Sequence, residues 1–241
     1  PVDGQEWTVP AFACTEADGR LYGRGTADMK GFVAAALNAF EVAAGTELAT
    51  PLHLALSYDE ELGCLGVRSL IDMLAAAPVR PEMCIVGEPT EMGLATGHKG
   101  KTVVRADCTG MAAHSSLAPL AVNAVHLACD LVSAIRSRQQ SIIETGTHDE
   151  AYNIPYTTLH VGRIEGGVQV NIVPQEASLE FEIRNLAGDD PAILIEAITQ
   201  DIAPVIAAAQ KTSPEADIRL TVVNSYPGLE TALDERVVAL L

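Results

Sequence analysis

Apolar positions divide the chain into two regimes that meet near His98. In the first, helical spacing alternates with short continuous apolar runs. Met29, Phe32, Val33, Ala36, Leu37 and Phe40 recur three and four apart and predict a helix, as do Val67, Leu70, Ile71 and Leu74. Between them, residues 52–58 form an apolar run that stops at three consecutive acids, Asp59, Glu60 and Glu61. A second run, in the segment opened by Pro81, ends at Glu88 and is fixed by Pro89. Continuous runs set between helices predict buried strands of an α/β unit, each bringing carboxylates to a strand end, where open sheets bind ligands. Residues 1–26 are rich in turn formers, with Asp18-Gly19 between short extended pieces.

Past Lys99 the pattern changes to strict alternation. Val103, Arg105 and Asp107 alternate with Val104, Ala106 and Cys108, and a helix follows with apolar positions at Ala124, Val125, Ala128, Leu131, Val132 and Ile135. Residues 156–164 and 177–184 read as strands, the second setting Leu179, Phe181 and Ile183 against Glu180, Glu182 and Arg184. Asp190 and Pro191 supply a cap and first-turn proline for a helix to about residue 210, which Pro204 is expected to kink or end early. Residues 216–223 alternate again. The order βαββαβ predicts a ferredoxin-like two-layer sandwich over 99–224, inserted into an α/β domain made of 1–98 and 225–241. The fold class is α/β.

Composition narrows the partners. With 32 acidic and 15 basic residues the formal charge is −17, which disfavours nucleic acid and anionic membrane alike. No apolar run approaches the ~18 residues of a membrane span. Five scattered cysteines, Cys14, Cys64, Cys84, Cys108 and Cys129, without a Cys-x-x-Cys pair, suit reduced thiols and a cytoplasmic location. The chain opens without Met or a signal-peptide form, and the apolar pattern at Val237, Val238, Leu240 and Leu241 runs to its last residue, as expected of an internal segment of a longer protein.

The acids at element ends are the candidate chemistry. Asp28 sits at a helix entrance flanked by Gly23, Gly25 and Gly31, where the helix dipole favours a carboxylate; a plain helix cap has the same form. Asp28, the Glu60 and Glu61 pair, and Glu88 would repel one another in a shared cleft unless they share cations, and a zinc site would normally add histidine. Singly, each is equally well a solvated turn.

Together with Gly-Arg-Gly-Thr-Ala-Asp28-Met-Lys-Gly, Tyr-Asp-Glu60-Glu61-Leu-Gly and Gly-Glu88-Pro-Thr, the stretches His98-Lys99-Gly100, Ala113-His114-Ser115-Ser116 and Val170-Asn171-Ile-Val-Pro174 resemble the dinuclear zinc aminoacylase and carboxypeptidase family. Six motifs in the family's order span nearly the whole chain. The resemblance implies a zinc-peptidase-like α/β/α catalytic domain, incomplete here, with the inserted domain as a dimerisation lid. It implies two divalent metal ions, zinc or cobalt, with Asp28 bridging them, Glu61 and Glu88 each on one metal, and Glu60 as general base. His114 resembles a histidine that reaches across a homodimer to the oxyanion, and Arg184, Asn171 and Lys99 resemble substrate contacts. The implied reaction is hydrolysis of an acyl-amino acid, N-acetyl-ornithine, within arginine biosynthesis, with succinyl-diaminopimelate as the alternative substrate. A truncated, non-catalytic dimerising relative is the other alternative. Two family histidines have no counterpart in the sequence, so a chain of this extent is expected to be inactive and to lose zinc selectivity.

Overall fold

In the computed structural model, which describes residues 2–241, the chain forms two units. One runs to Ala95 and takes up Leu233–Leu241; the other is Thr96–Ala232.

The first unit begins with a hairpin of β1 (Thr15–Ala17) and β2 (Arg20–Tyr22), paired antiparallel. Asp18 and Gly19 make its two-residue turn with φ of 53° and 71°, the left-handed region such tight turns require. A turn of π-type spacing, Thr26–Lys30, leads into α1 (Gly31–Ala44), and Asp28 and Met29 in that turn have non-helical dihedrals. Helix α2 (Val67–Ala76) lies on the predicted periodicity. The predicted strands at 52–58 and within 81–88 differ from the structure, which gives them no ladder partner. Leu56, Tyr58, Ile85 and Val86 are all exposed rather than buried. A parallel strand is buried only when strands flank it and helices cover both faces, and the described residues of this unit supply neither for these runs. A Cβ at Gly87 would lie 2.1 Å from the Phe32 ring, and one at Gly66 the same distance from the Tyr58 carbonyl oxygen.

The second unit opens with β3 (Gly97–His98) and β4 (Lys101–Thr109). A 3-10 turn at Ser115–Leu120 precedes α3 (Ala124–Thr145), β5 (Thr158–Gly166), β6 (Glu176–Arg184), α4 (Pro191–Ala209), β7 (Asp217–Tyr226) and β8 (Leu229–Glu230). Strands β5, β6, β4 and β7, in that spatial order, form one antiparallel sheet, and β3 pairs with β8. Alternation decides the two faces. Val104, Ala106 and Cys108 of β4 and Leu179, Phe181 and Ile183 of β6 are buried, against Leu127, Leu131 and Ile135 of α3 and Ile198 and Ile202 of α4. Each large aliphatic or aromatic side chain so covered contributes about 1.5–3 kcal/mol. The opposite face carries the charged partners of the alternation, with Arg105 opposite Glu180 in the register of β4 and β6.

The start of α4 follows the cap read from the sequence, and α3 has a cap of the same kind that the periodicity did not announce. Asn123 accepts from the Val125 and His126 N–H groups, and Asp190 accepts from Ala192 N–H. Pro204 neither kinks nor ends α4, which continues to Ala209. Pro204 is on the exposed side of the helix, where water can take the carbonyl it leaves unpaired, while Ile198 and Ile202 hold the opposite side in the core. One further expectation is corrected. Helix α4, 19 residues long with an 18-residue window of mean hydropathy 1.6, is long and apolar enough to cross a membrane by length and composition. Here it packs on the sheet as the two-layer sandwich requires. The chain ends in α5 (Arg236–Leu240), in the first unit, where Arg236 pairs with Glu82.

Candidate active site

The predicted residues fall into three groups. Asp28, Glu60, Glu61 and Glu88 belong to the first unit, close enough to act on one another. Burial raises the Glu88 carboxyl above its ordinary range, and the charges of Asp28, Glu60 and Glu61 raise it further. A carboxyl that feels three other carboxylates has the hard-oxygen chemistry that divalent cations take. Their arrangement does not match it. Among the described residues no three histidine, cysteine, aspartate or glutamate side chains gather as a metal site would need. Glu61 faces Arg24 instead, in an ion pair of 3.0 Å, and the Cys64 thiol lies 3.9 Å from a Glu60 carboxylate oxygen.

His114 and Asn171 form the second group, brought together by backbone pairing that no local pattern announces. His114 bridges Ile172 antiparallel, Ser115 N–H donates to Asn171 O at 3.0 Å, and Val173 N–H donates to Ala113 O at 2.8 Å. His114 also caps the 3-10 turn, its Nδ1 accepting from Ser116 N–H at 3.2 Å. With Nδ1 an acceptor, the neutral imidazole carries its proton on Nε2 and can donate there. Both residues are exposed.

Lys99 and Arg184 make up the third group, at the other end of the sheet. Arg184 pairs with Thr158 at the start of β5, whereas Gly166 and Ala177 mark the end near which His114 and Asn171 emerge. Eight residues of strand separate the ends, roughly 25 Å. Arg184 Nε pairs with Glu182, its Nη1 lies 3.4 Å from the Tyr226 hydroxyl, and Lys101 reaches Glu182 at 3.2 Å. Burial alone would raise the Glu182 carboxyl, but the hydrogen bonds from Arg184 and Lys101 outweigh it and hold it below the ordinary range. Lys99 Nζ donates to Ile154 O at 2.7 Å and Tyr156 O at 2.6 Å and lies 5.6 Å from the Tyr152 ring centre. Lys99 therefore ties the segment before β5 to the start of β4.

Sequence reasoning missed Asn185 and Gln139. Asn185 is buried; its Nδ2 donates to the Leu186 and Asp189 carbonyls, and its backbone oxygen accepts from Gly100 N–H. Beside it Thr157 donates its hydroxyl to Asp189 and accepts Leu186 N–H. Gln139 Nε2 donates to Thr157 O while its Oε1 accepts Leu159 N–H, so one side-chain amide completes the start of β5 as a neighbouring strand would. An amide on the otherwise amphipathic α3 gave no signal of that role.

In the second unit, residues 96–208 match the family model described as the peptidase dimerisation domain. Across its length the chain resembles a particular enzyme. Acetylornithine deacetylases from Salmonella heidelberg (strain SL476) and Salmonella arizonae are each 36% identical over 243 aligned residues, covering 99% of this chain and 60% of theirs. The chain thus spans about 60% of the length of these curated relatives. Among solved structures, a tripeptidase from Staphylococcus aureus is 25% identical over 60% of this chain and 34% of its own, with a TM-score of 0.42.

Proposed function

We propose that the protein hydrolyses the acetyl amide of N-acetyl-ornithine, releasing ornithine and acetate, and acts as a homodimer in the cytoplasm. The observation that carries this reading is the 36% identity to acetylornithine deacetylases across 99% of the chain. In the reaction one water adds to the amide: its oxygen bonds the carbonyl carbon, the C–N bond breaks, and the amine leaves protonated. Glu60 is the base that takes the proton of the attacking water and returns it to the nitrogen. The Nε2 proton of His114, set by the Ser116 contact at Nδ1, suits an oxyanion donor. Arg184 and Asn171 suit the substrate carboxylate and the oxyanion side, and Lys99 acts by holding the segment before β5.

Two divalent ions, zinc or cobalt, belong to the proposal through the resemblance, with Asp28, Glu61 and Glu88 as ligands. They are tested on their own: calorimetric titration of the full-length protein with cobalt should show binding that Asp28→Asn removes, and no binding would overturn this part. The five cysteines, all free thiols, support a reducing compartment.

The deciding experiment is ornithine release from N-acetyl-ornithine by the full-length protein, beside Glu60→Gln. Release lowered in the variant by at least about a hundredfold supports the base and the substrate. Turnover of succinyl-diaminopimelate in place of N-acetyl-ornithine overturns the substrate, and an unchanged Glu60→Gln overturns the base.

A further inference from the structure

Where β4 begins and β6 finishes, two cations meet one carboxylate. Lys101 reaches Glu182 at 3.2 Å, and Arg184 reaches it through Nε. One positive charge is left over there, in a protein of net charge −17. A guanidinium has five N–H donors. Glu182 takes the donor on Nε and Tyr226 takes one from Nη1 at 3.4 Å, so Nη2 has no partner among the described residues. The Tyr226 oxygen accepts that bond, which leaves its own hydrogen free to donate elsewhere. The Arg184 side chain is 41% exposed, so a ligand can reach these unused donors.

Tyr226 owes its place to an irregularity in β7. Val103 faces Asn224 but Val104 faces Val222, so Val223 is an extra residue in the ladder. Asp217, Arg219 and Thr221 face Thr109, Asp107 and Arg105, and a regular strand would continue that side with Val223 and Ser225. The bulge inverts the order beyond it. Ser225 turns to the buried Thr102, hydroxyl to hydroxyl at 2.8 Å, and Tyr226 comes to face Lys101. Bulges beside functional sites re-aim side chains in this way. Strand β5 has an extra residue of its own between Val161 and Arg163, but it lies past His160, which faces Glu182, and leaves the register at the cluster regular.

The two donors are also fixed at the backbone through one residue. Gly100 N–H donates at 2.8 Å to the carbonyl of Asn185, the neighbour of Arg184. A Cβ on Gly228, two residues past Tyr226, would lie 3.0 Å from the Gly100 nitrogen. The strand ends that carry Arg184 and Tyr226 thus pack on the same turn. Donors assembled before the ligand arrives need little reorganisation to bind it.

We infer that Tyr226 is a second contact for the substrate carboxylate, its phenol and the unpaired edge of Arg184 forming one donor fork. This rests on the substrate and the Arg184 role of the proposed function and adds a residue to them. A carboxylate suits the fork because its two oxygens accept several hydrogen bonds at once. Its single charge also matches the single charge in excess.

The test is calorimetric titration of the full-length protein carrying Glu60→Gln, in which the acetyl group is retained. The ligands are N-acetyl-ornithine and its analogue with a primary amide in place of the carboxylate. Each is titrated with and without Tyr226→Phe, folding being followed by circular dichroism. Tyr226→Phe should weaken N-acetyl-ornithine by about tenfold or more and the analogue by about twofold at most, since a hydrogen bond to a charged group is the stronger. With Glu60 intact, the loss should appear in KM rather than kcat. Equal losses for the two ligands, or none for either, overturn the contact, as does a Glu60→Gln protein that binds neither. The expected pair of losses beside a wild type that releases no ornithine overturns the substrate of the proposed function and keeps the fork.

Discussion

At Gly100 a single hydrogen in place of a side chain holds the second unit together. A Cβ there would come within 2.5 Å of Asn185 Oδ1 and 2.8 Å of the Gly228 backbone nitrogen. The Asn185 side-chain amide is buried and held by its two Nδ2 bonds to backbone carbonyls, and the Gly228 atom is main chain, so neither steps aside freely. Gly100→Ala should therefore cost about 1–3 kcal/mol, read as a lowered urea midpoint. Glu182 makes a prediction of the opposite kind, in pH. Its folded pKa is lowered by Arg184 and Lys101, so its contribution is present above the ordinary carboxylate range and is lost as pH falls through the folded value. The thermal midpoint of the protein should fall on acidification, and Glu182→Gln should have a lower midpoint at neutral pH with a shallower acid slope. Equal slopes in the two proteins would remove Glu182 from the account.

Among elements, α4 shows how tertiary burial overrides local preference. A proline in a helix interior costs about 3 kcal/mol relative to alanine, yet α4 runs through Pro204 to Ala209 because Ile198 and Ile202 are in the core. Pro204→Ala restores the missing donor on an exposed side and should raise the melting midpoint; a lowered midpoint would mean Pro204 fits its site in a way the helix geometry does not show. The strands β4, β6 and β7 were legible because their alternation is written in contiguous residues. The runs at 52–58 and within 81–88 were not, since a continuous apolar run is a strand only where a neighbour, distant in sequence, hydrogen-bonds to it. The candidate site divides in the same way. Asp28, Glu60, Glu61 and Glu88 could be picked out at element ends, but the pairing of His114 with Asn171, and of Glu61 with Arg24, depends on contacts that no local pattern encodes.

For the molecule as a whole, the two units differ in how their backbone is secured. Every strand of the second unit's sheet is paired, and its core is a contiguous set of buried residues from β4, β6, α3 and α4. The runs at 52–58 and within 81–88 have neither ladder bonds nor cover. Amide exchange in the 241-residue chain should therefore be fast over both runs and slow over Val104–Cys108 and Leu179–Ile183. Uniform protection across the two units would contradict the difference described here.

The extra residue in β5 also bears on how much the strand's length can vary. Val161 faces Phe181 and Arg163 faces Glu180, with Gly162 between them taking no place in the ladder. Removing Gly162 would leave Val161 and Arg163 adjacent, in the order a regular strand already demands, so no side chain beyond would change faces. Removing any neighbouring residue of the regular ladder would instead turn Arg163 or Ile164 over. At one position inside a sheet, this chain has the tolerance to deletion that proteins otherwise confine to their loops.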